Sequence, residues 1–216
     1  MVRRKKEEPK EEPIKEKKKK LLELSQYKLT QLAVEASALC PGYVEKILAL
    51  ENDTKLHEGS PAHYCRYFYW LARAMKPSLC VDIGTHKGMS SACLAAGHPG
   101  GNVITLDIID TAYDRICLLP NIERRICGSG DMGETMGMDA GIDILFIDAE
   151  HDGVQPLKQY NTYLHFMKKR SLILFDDINL NNGMRKFWRK FDPIVGEKFE
   201  LRIHGDVGFG AVLINT

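Results

Sequence analysis

The chain has 216 residues, 44% of them hydrophobic and 27% charged, with a formal net charge of +1. That length buries one good core and is short for two domains, and the near-neutral balance excludes a folded surface built chiefly for nucleic acid, which needs a basic patch of its own. Six cysteines (Cys40, Cys65, Cys80, Cys93, Cys117, Cys127) form no C-x-x-C pair and read as reduced core thiols of a cytoplasmic protein, while no apolar stretch nears the roughly 20 residues that span a bilayer.

Residues 1–20 hold ten Lys or Arg against five Glu and little that is apolar. Such a segment cannot offset the entropy of ordering itself, so it is predicted to be a disordered tail. A solubilising role is favoured for it, and it is the one place where nucleic acid is a candidate partner. Residues 21–76 have helical spacing: Leu29, Leu32, Ala33 and Leu39, then Val44, Ile47 and Leu48 after the break at Pro41-Gly42, predict two short helices. A third is expected over about 61–75, with Ser60 as N-cap, Pro61 at its first position and a packing stripe of Tyr64, Phe68, Leu71 and Ala72.

From residue 77 to 216 short β-branched runs alternate with helical stretches, the pattern of a parallel sheet covered on both faces. Strands are expected at 79–83, 102–107, 122–127, 142–148 and 172–175, with helices clearest at 89–96 and 154–167 and another at about 183–191. Two last runs, 199–203 and 209–214, are separated by only five residues, too few for a parallel crossover, so they must form an antiparallel hairpin. The expected fold is α/β: a doubly wound, mostly parallel seven-stranded sheet, closed by that hairpin and preceded by helices. This order resembles the class I methyltransferase topology.

The first strand ends in Asp82-Ile83-Gly84-Thr85-His86-Lys87-Gly88 and runs straight into a helix near Met89-Ser90. Glycines in such a turn let backbone approach a ligand, and the helix start favours an adenosine-containing cofactor. A dinucleotide fingerprint would place a glycine where His86 stands. The loop, with Asp82, Gly84, Thr85, His86, Gly88 and Ser90, resembles the E-x-G-T-x-x-G-x-S loop of small O-methyltransferases such as the catechol and caffeoyl-CoA enzymes, which implies S-adenosylmethionine. Asp107, closing the second strand, can take the ribose hydroxyls, with Ile108 beside it. The resemblance places Ser129 or Asp131 near the adenine and Ser60 over the methionine part.

Asp148 ends the fourth core strand and His151 follows in its turn, while Asp176 and Asp177 end the fifth, so three carboxylates meet at one sheet edge. They would repel one another without a compensating cation, and all-oxygen ligation suits Mg²⁺. The run D-x-x-F-I-D-x-x-H, then a hydrophobic strand, D-D-I and G-x-x-x-F-W, resembles the group of macrolide-sugar O-methyltransferases and cephalosporin hydroxylase-like proteins. That resemblance implies a metal at Asp148, Asp176 and Asp177, with His151 as general base and Asp148 beside it. The chain departs in having Asp-Asp where the group often has Glu-Asp. Phe187 and Trp188 are expected in the core.

The reading is therefore a metal-assisted O-methyltransferase acting on a small-molecule hydroxyl, such as a sugar diol or a catechol. The competing readings are a nicotinamide-dependent oxidoreductase and a non-catalytic module of the same fold whose tail engages nucleic acid. The sequence leaves oligomeric state open, a homo-oligomer included.

Overall fold

The computed structural model describes residues 62–110, 112, 119–130, 141–201 and 207–215. The expected tail over 1–20 and the two helices over 21–52 lie outside the described residues, as do Ser60 and Asp131. In chain order the elements are α1 (Ala62–Met75), β1 (Leu79–Ile83), α2 (Met89–Gly97), β2 (Asn102–Asp107), β3 (Ile122–Ile126), β4 (Ile142–Ile147), α3 (Gln155–Tyr163), β5 (Met167–Phe175), α4 (Asn182–Lys190), β6 (Glu197–Leu201) and β7 (Phe209–Ile214).

The seven strands form one sheet in the order β3-β2-β1-β4-β5-β7-β6. The first five are parallel, and β7 lies antiparallel between β5 and β6, as the short final connection requires. From β1 the chain steps outward to β2 and β3, then returns to lay β4 on the other side of β1. That reversal opens a crevice at the carboxyl ends of β1 and β4, where doubly wound sheets take ligands.

Successive strand residues point to opposite faces, which divides the buried apolar set in two. Cys80, Ile144, Phe146, Leu172 and Leu174 pack with Tyr67, Phe68 and Leu71 of α1 and Leu94 of α2. Their neighbours Val81, Leu145, Ile147, Ile173 and Phe175 pack with Tyr160 and Tyr163 of α3 and Phe187 and Trp188 of α4. Both aromatic residues of α4 are thus core, as expected.

Beyond β6, which spans Glu197–Leu201 where 199–203 was expected, two boundaries differ from the sequence reading. The helix expected to reach Met167 ends at Tyr163, and after one 3₁₀ turn the chain enters β5 at Met167, five residues before the apolar run. The added residues include Lys168-Lys169-Arg170, and the β4–β5 register slips there, with Arg170 at φ 59°. Lys168 Nζ reaches Asp143 Oδ2 at 2.9 Å, the same oxygen that accepts from Ser78 N and Leu79 N at 2.8 and 3.0 Å. One carboxylate therefore ties together the starts of β1, β4 and β5.

Candidate active site

β1 leaves the sheet at Gly84, whose φ of 104° is in the region that disfavours a side chain; a Cβ there would stand 1.7 Å from the carbonyl oxygen of Asp148. Gly84 and Thr85 both donate their N–H to the Leu106 carbonyl, at 2.8 and 3.0 Å, so the turn is bound to the end of β2. His86 follows with φ 42°, Gly88 takes the N-cap of α2 at φ 82°, and Asp177 across the crevice has φ 54°. Such backbone strain gathers where a fold holds a functional rim in place.

Asp107 closes the other side of the turn. Its Oδ2 accepts from His86 N at 2.8 Å and its Oδ1 from Ile109 N at 3.0 Å. Each carboxylate oxygen keeps a lone pair, which suits two neighbouring hydroxyls.

Asp82 has a different place from the one expected. It is fully buried and bonds Ser90 Oγ at 2.7 Å, Ser91 Oγ, and Thr105 Oγ1 at 3.4 Å, all through Oδ2, while Oδ1 is without a hydrogen-bond partner. Burial pushes its pKa up to about 7, against the Ser91 and Ser90 hydroxyls and with a smaller push from Asp148. Thr85 Oγ1 pairs with Thr105 Oγ1 at 2.8 Å. Asp82, Thr85, Gly88 and Ser90 therefore stand behind the wall, tying β1 and β2 to the first turn of α2.

The wall belongs to a cleft of about 610 Å³, within the size range of small-molecule sites. Of the expected residues it takes in Gly84, His86, Asp107, Ile108, Ser129, Asp148 and His151. Ile108 is 68% exposed, an apolar side chain held open at the lip. The sequence reading missed Gln155 and Gln159, which line the cleft from α3; polar helix residues look like solvent-facing ones, and only their four-residue spacing on one helix face hints otherwise.

At the end of β4, His151 Nε2 lies 3.4 Å from Asp148 Oδ1 and 3.4 Å from Asp177 Oδ2. These are ion-pair distances without hydrogen-bond alignment, and Nε2 is buried. Contact with Asp148 raises the His151 pKa most; burial opposes it, and the charges of Asp148 and Asp177 add to the rise. Asp177 is itself raised, by burial first and then by Asp148. Asn181 Nδ2 donates to the His151 carbonyl at 2.7 Å and fixes the turn against the start of α4.

Asp176 is buried, 7% exposed, its N–H bonded to the Ile147 carbonyl at 3.1 Å. Asp148 and Asp177 thus flank an imidazole. Among the described residues no three His, Cys, Asp or Glu side chains form a set able to hold a metal ion. With the His151 ring between Asp148 and Asp177, these two and Asp176 do not form the converging oxygen set that Mg²⁺ takes.

Comparison with known proteins agrees with this architecture. Residues 81–178 match a family model described as a methyltransferase domain. No curated protein matches the chain. Among solved structures it is similar to the O-methyltransferase from Bacillus cereus in complex with SAH, with 20% identity over 88% of this chain and 100% of that one and a TM-score of 0.63. It is also similar to TomG, the Streptomyces achromogenes O-methyltransferase involved in tomaymycin synthesis, in complex with SAM (19% identity, 88% and 99% covered, TM-score 0.62). A methyltransferase from Geobacter sulfurreducens matches at 18% identity over 86% and 97%, with a TM-score of 0.63.

Proposed function

We propose that this chain, a methyltransferase by the domain it carries over residues 81–178 and by its class I fold, moves the methyl group of S-adenosylmethionine to a hydroxyl oxygen of a small molecule. The observation that carries the reading is one cleft that takes in the Gly84 turn, Asp107 and the His151–Asp148 pair. In the cleft the cofactor supplies an electrophilic methyl on sulfur. The protein needs to hold an oxygen in line with it and take that oxygen's proton.

Gly84 lets the turn lie close, Asp107 accepts ribose hydroxyls, and Ile108 offers an apolar face to the base. His151 is the general base. Its Nε2, set between two carboxylate oxygens at 3.4 Å, carries the hydrogen in the neutral ring, which leaves the lone pair on Nδ1 to accept the substrate proton. Asp148 and Asp177 then stabilise the imidazolium that results. The same carboxylates can accept a second hydroxyl, which favours a vicinal diol or a catechol as acceptor.

Mg²⁺ has no step in this mechanism, because two of the three donors expected for it, Asp148 and Asp177, flank the His151 ring. Equilibrium dialysis against S-adenosylmethionine, S-adenosylhomocysteine and NAD, followed by transfer of labelled methyl to a panel of diols and catechols, tests the function. Binding of the first two with methylation of an acceptor supports it. Preference for NAD would make the chain an oxidoreductase, and binding without transfer to any hydroxyl would make it a non-catalytic module.

A further inference from the structure

Gln159 sits on α3 with 5% of its surface exposed, and it lines the cleft. Its Nε2 donates to Ser129 Oγ at 3.1 Å, while its Oε1 is buried with no hydrogen-bond partner. A buried amide oxygen left unpaired costs of the order of a lost hydrogen bond, so such an atom beside a cleft asks for a donor from the ligand. The next turn of α3 reaches the same segment: Tyr163 Oη donates to the Ser129 carbonyl at 2.9 Å. Two side chains of one helix therefore hold the turn after β3, and one of them keeps an acceptor in reserve.

We infer that Gln159 is the residue that reads the 6-amino group of the adenine, with Ser129 as its partner. This rests on the proposal that the cleft takes S-adenosylmethionine. The 6-amino group donates a hydrogen to Gln159 Oε1. The Ser129 hydroxyl, whose oxygen is already occupied by Gln159 Nε2, keeps its own hydrogen for a ring nitrogen of the base, which accepts. The adenine edge presents that pair of polarities, a donor beside an acceptor. The family resemblance implied Ser129 or Asp131 near the base; Gln159 comes from the helix that follows β4 and meets Ser129 there.

The test is a double-mutant cycle across protein and ligand, read by calorimetric affinity of the full chain for S-adenosylhomocysteine and for its analogue in which the purine has hydrogen in place of the 6-amino group. In the wild type, removing the amino group should weaken binding on the order of tenfold, the effect of one hydrogen bond that leaves a buried acceptor empty. Gln159→Leu should bind S-adenosylhomocysteine on the order of tenfold more weakly and the deaminated analogue no worse than the wild type does. Equal wild-type affinity for the two ligands overturns the inference without any variant. So does the same loss on removing the amino group in wild type and variant alike. A wild type that binds neither ligand overturns the proposed function itself, a result separate from either of these.

Discussion

His151 brings three side chains into one electrostatic unit. Its pKa lies above the usual histidine value, chiefly through Asp148, so the acid limb of turnover should fall above pH 6.5. Asp148→Asn should slide that limb to lower pH, because the carboxylate that holds the proton is gone. His151→Ala should cut turnover by about 10²-fold or more and leave S-adenosylhomocysteine affinity within twofold, since the ring meets the acceptor rather than the cofactor. Full turnover in that variant would remove the imidazole from the reaction. With His151 between two carboxylates, exhaustive chelation should leave wild-type turnover unchanged; loss on chelation with recovery on Mg²⁺ would mean that the carboxylates reorganise around an ion. Asp82 gives a pH dependence of stability with the opposite sense to an ordinary ion-paired aspartate. Its native pKa is near 7 and that of an unfolded aspartate near 4, so between those values the native state keeps a proton that the unfolded chain has lost. Its contribution to stability therefore falls as pH rises across that window, and the full penalty is present above it. Asp82→Asn should gain in melting temperature relative to wild type between pH 5 and pH 8; a difference that stays flat with pH would show that Asp82 does not titrate there.

At the scale of elements, packing decides what the polar pattern concealed. Trp188 of α4 is buried beneath β7, donates Nε1–H to Glu200 Oε1 at 3.0 Å, and faces Gly210, where a Cβ would meet the indole ring at 2.5 Å. The glycine in β7 is thus a space for the indole rather than a turn residue. Gly210→Val should lower stability by about 2 kcal/mol, seen as a reduced urea midpoint with unchanged slope and a shifted tryptophan emission. An unchanged midpoint would mean that the indole has room to move. Strands β1, β2, β4 and the later part of β5 were legible because buried parallel strands are short apolar runs, and the hairpin was legible because five residues cannot carry a crossover. The start of β5 was hidden, since Lys168-Lys169-Arg170 looks like a solvated loop until Asp143 is seen to hold Lys168. That Gly84, Asp107, Ser129, Asp148 and His151 line one cleft was legible because strand ends beside a topological switch point gather at one crevice. The place of Asp82 was not, because nothing in its spacing tells an acid that faces a ligand from one turned inward onto Ser90 and Ser91. Gln159 was invisible for a related reason: its neighbour Ser129 lies 30 residues away in the chain.

Across the whole molecule, the cleft is assembled from the carboxyl ends of β1, β2 and β4, the turn after β3, and α3, and nothing local would persist if the sheet opened. A ligand held there binds the folded state alone, so it stabilises the entire chain by mass action. At a free concentration of one hundred times its dissociation constant, S-adenosylhomocysteine should add about 2.7 kcal/mol. For a chain of this length that corresponds to a rise in melting temperature on the order of 5–10 °C. Asp107→Ala should lose most of that shift at the same ligand concentration while keeping its unliganded midpoint close to wild type, because its carboxylate bonds the loop N–H groups of His86 and Ile109 at the rim. NAD should give no shift at equal concentration, His86 standing where a dinucleotide would need a glycine. A larger shift with NAD than with S-adenosylhomocysteine would reassign the cleft, and an unaltered shift in the Asp107 variant would move the ribose to another wall of it.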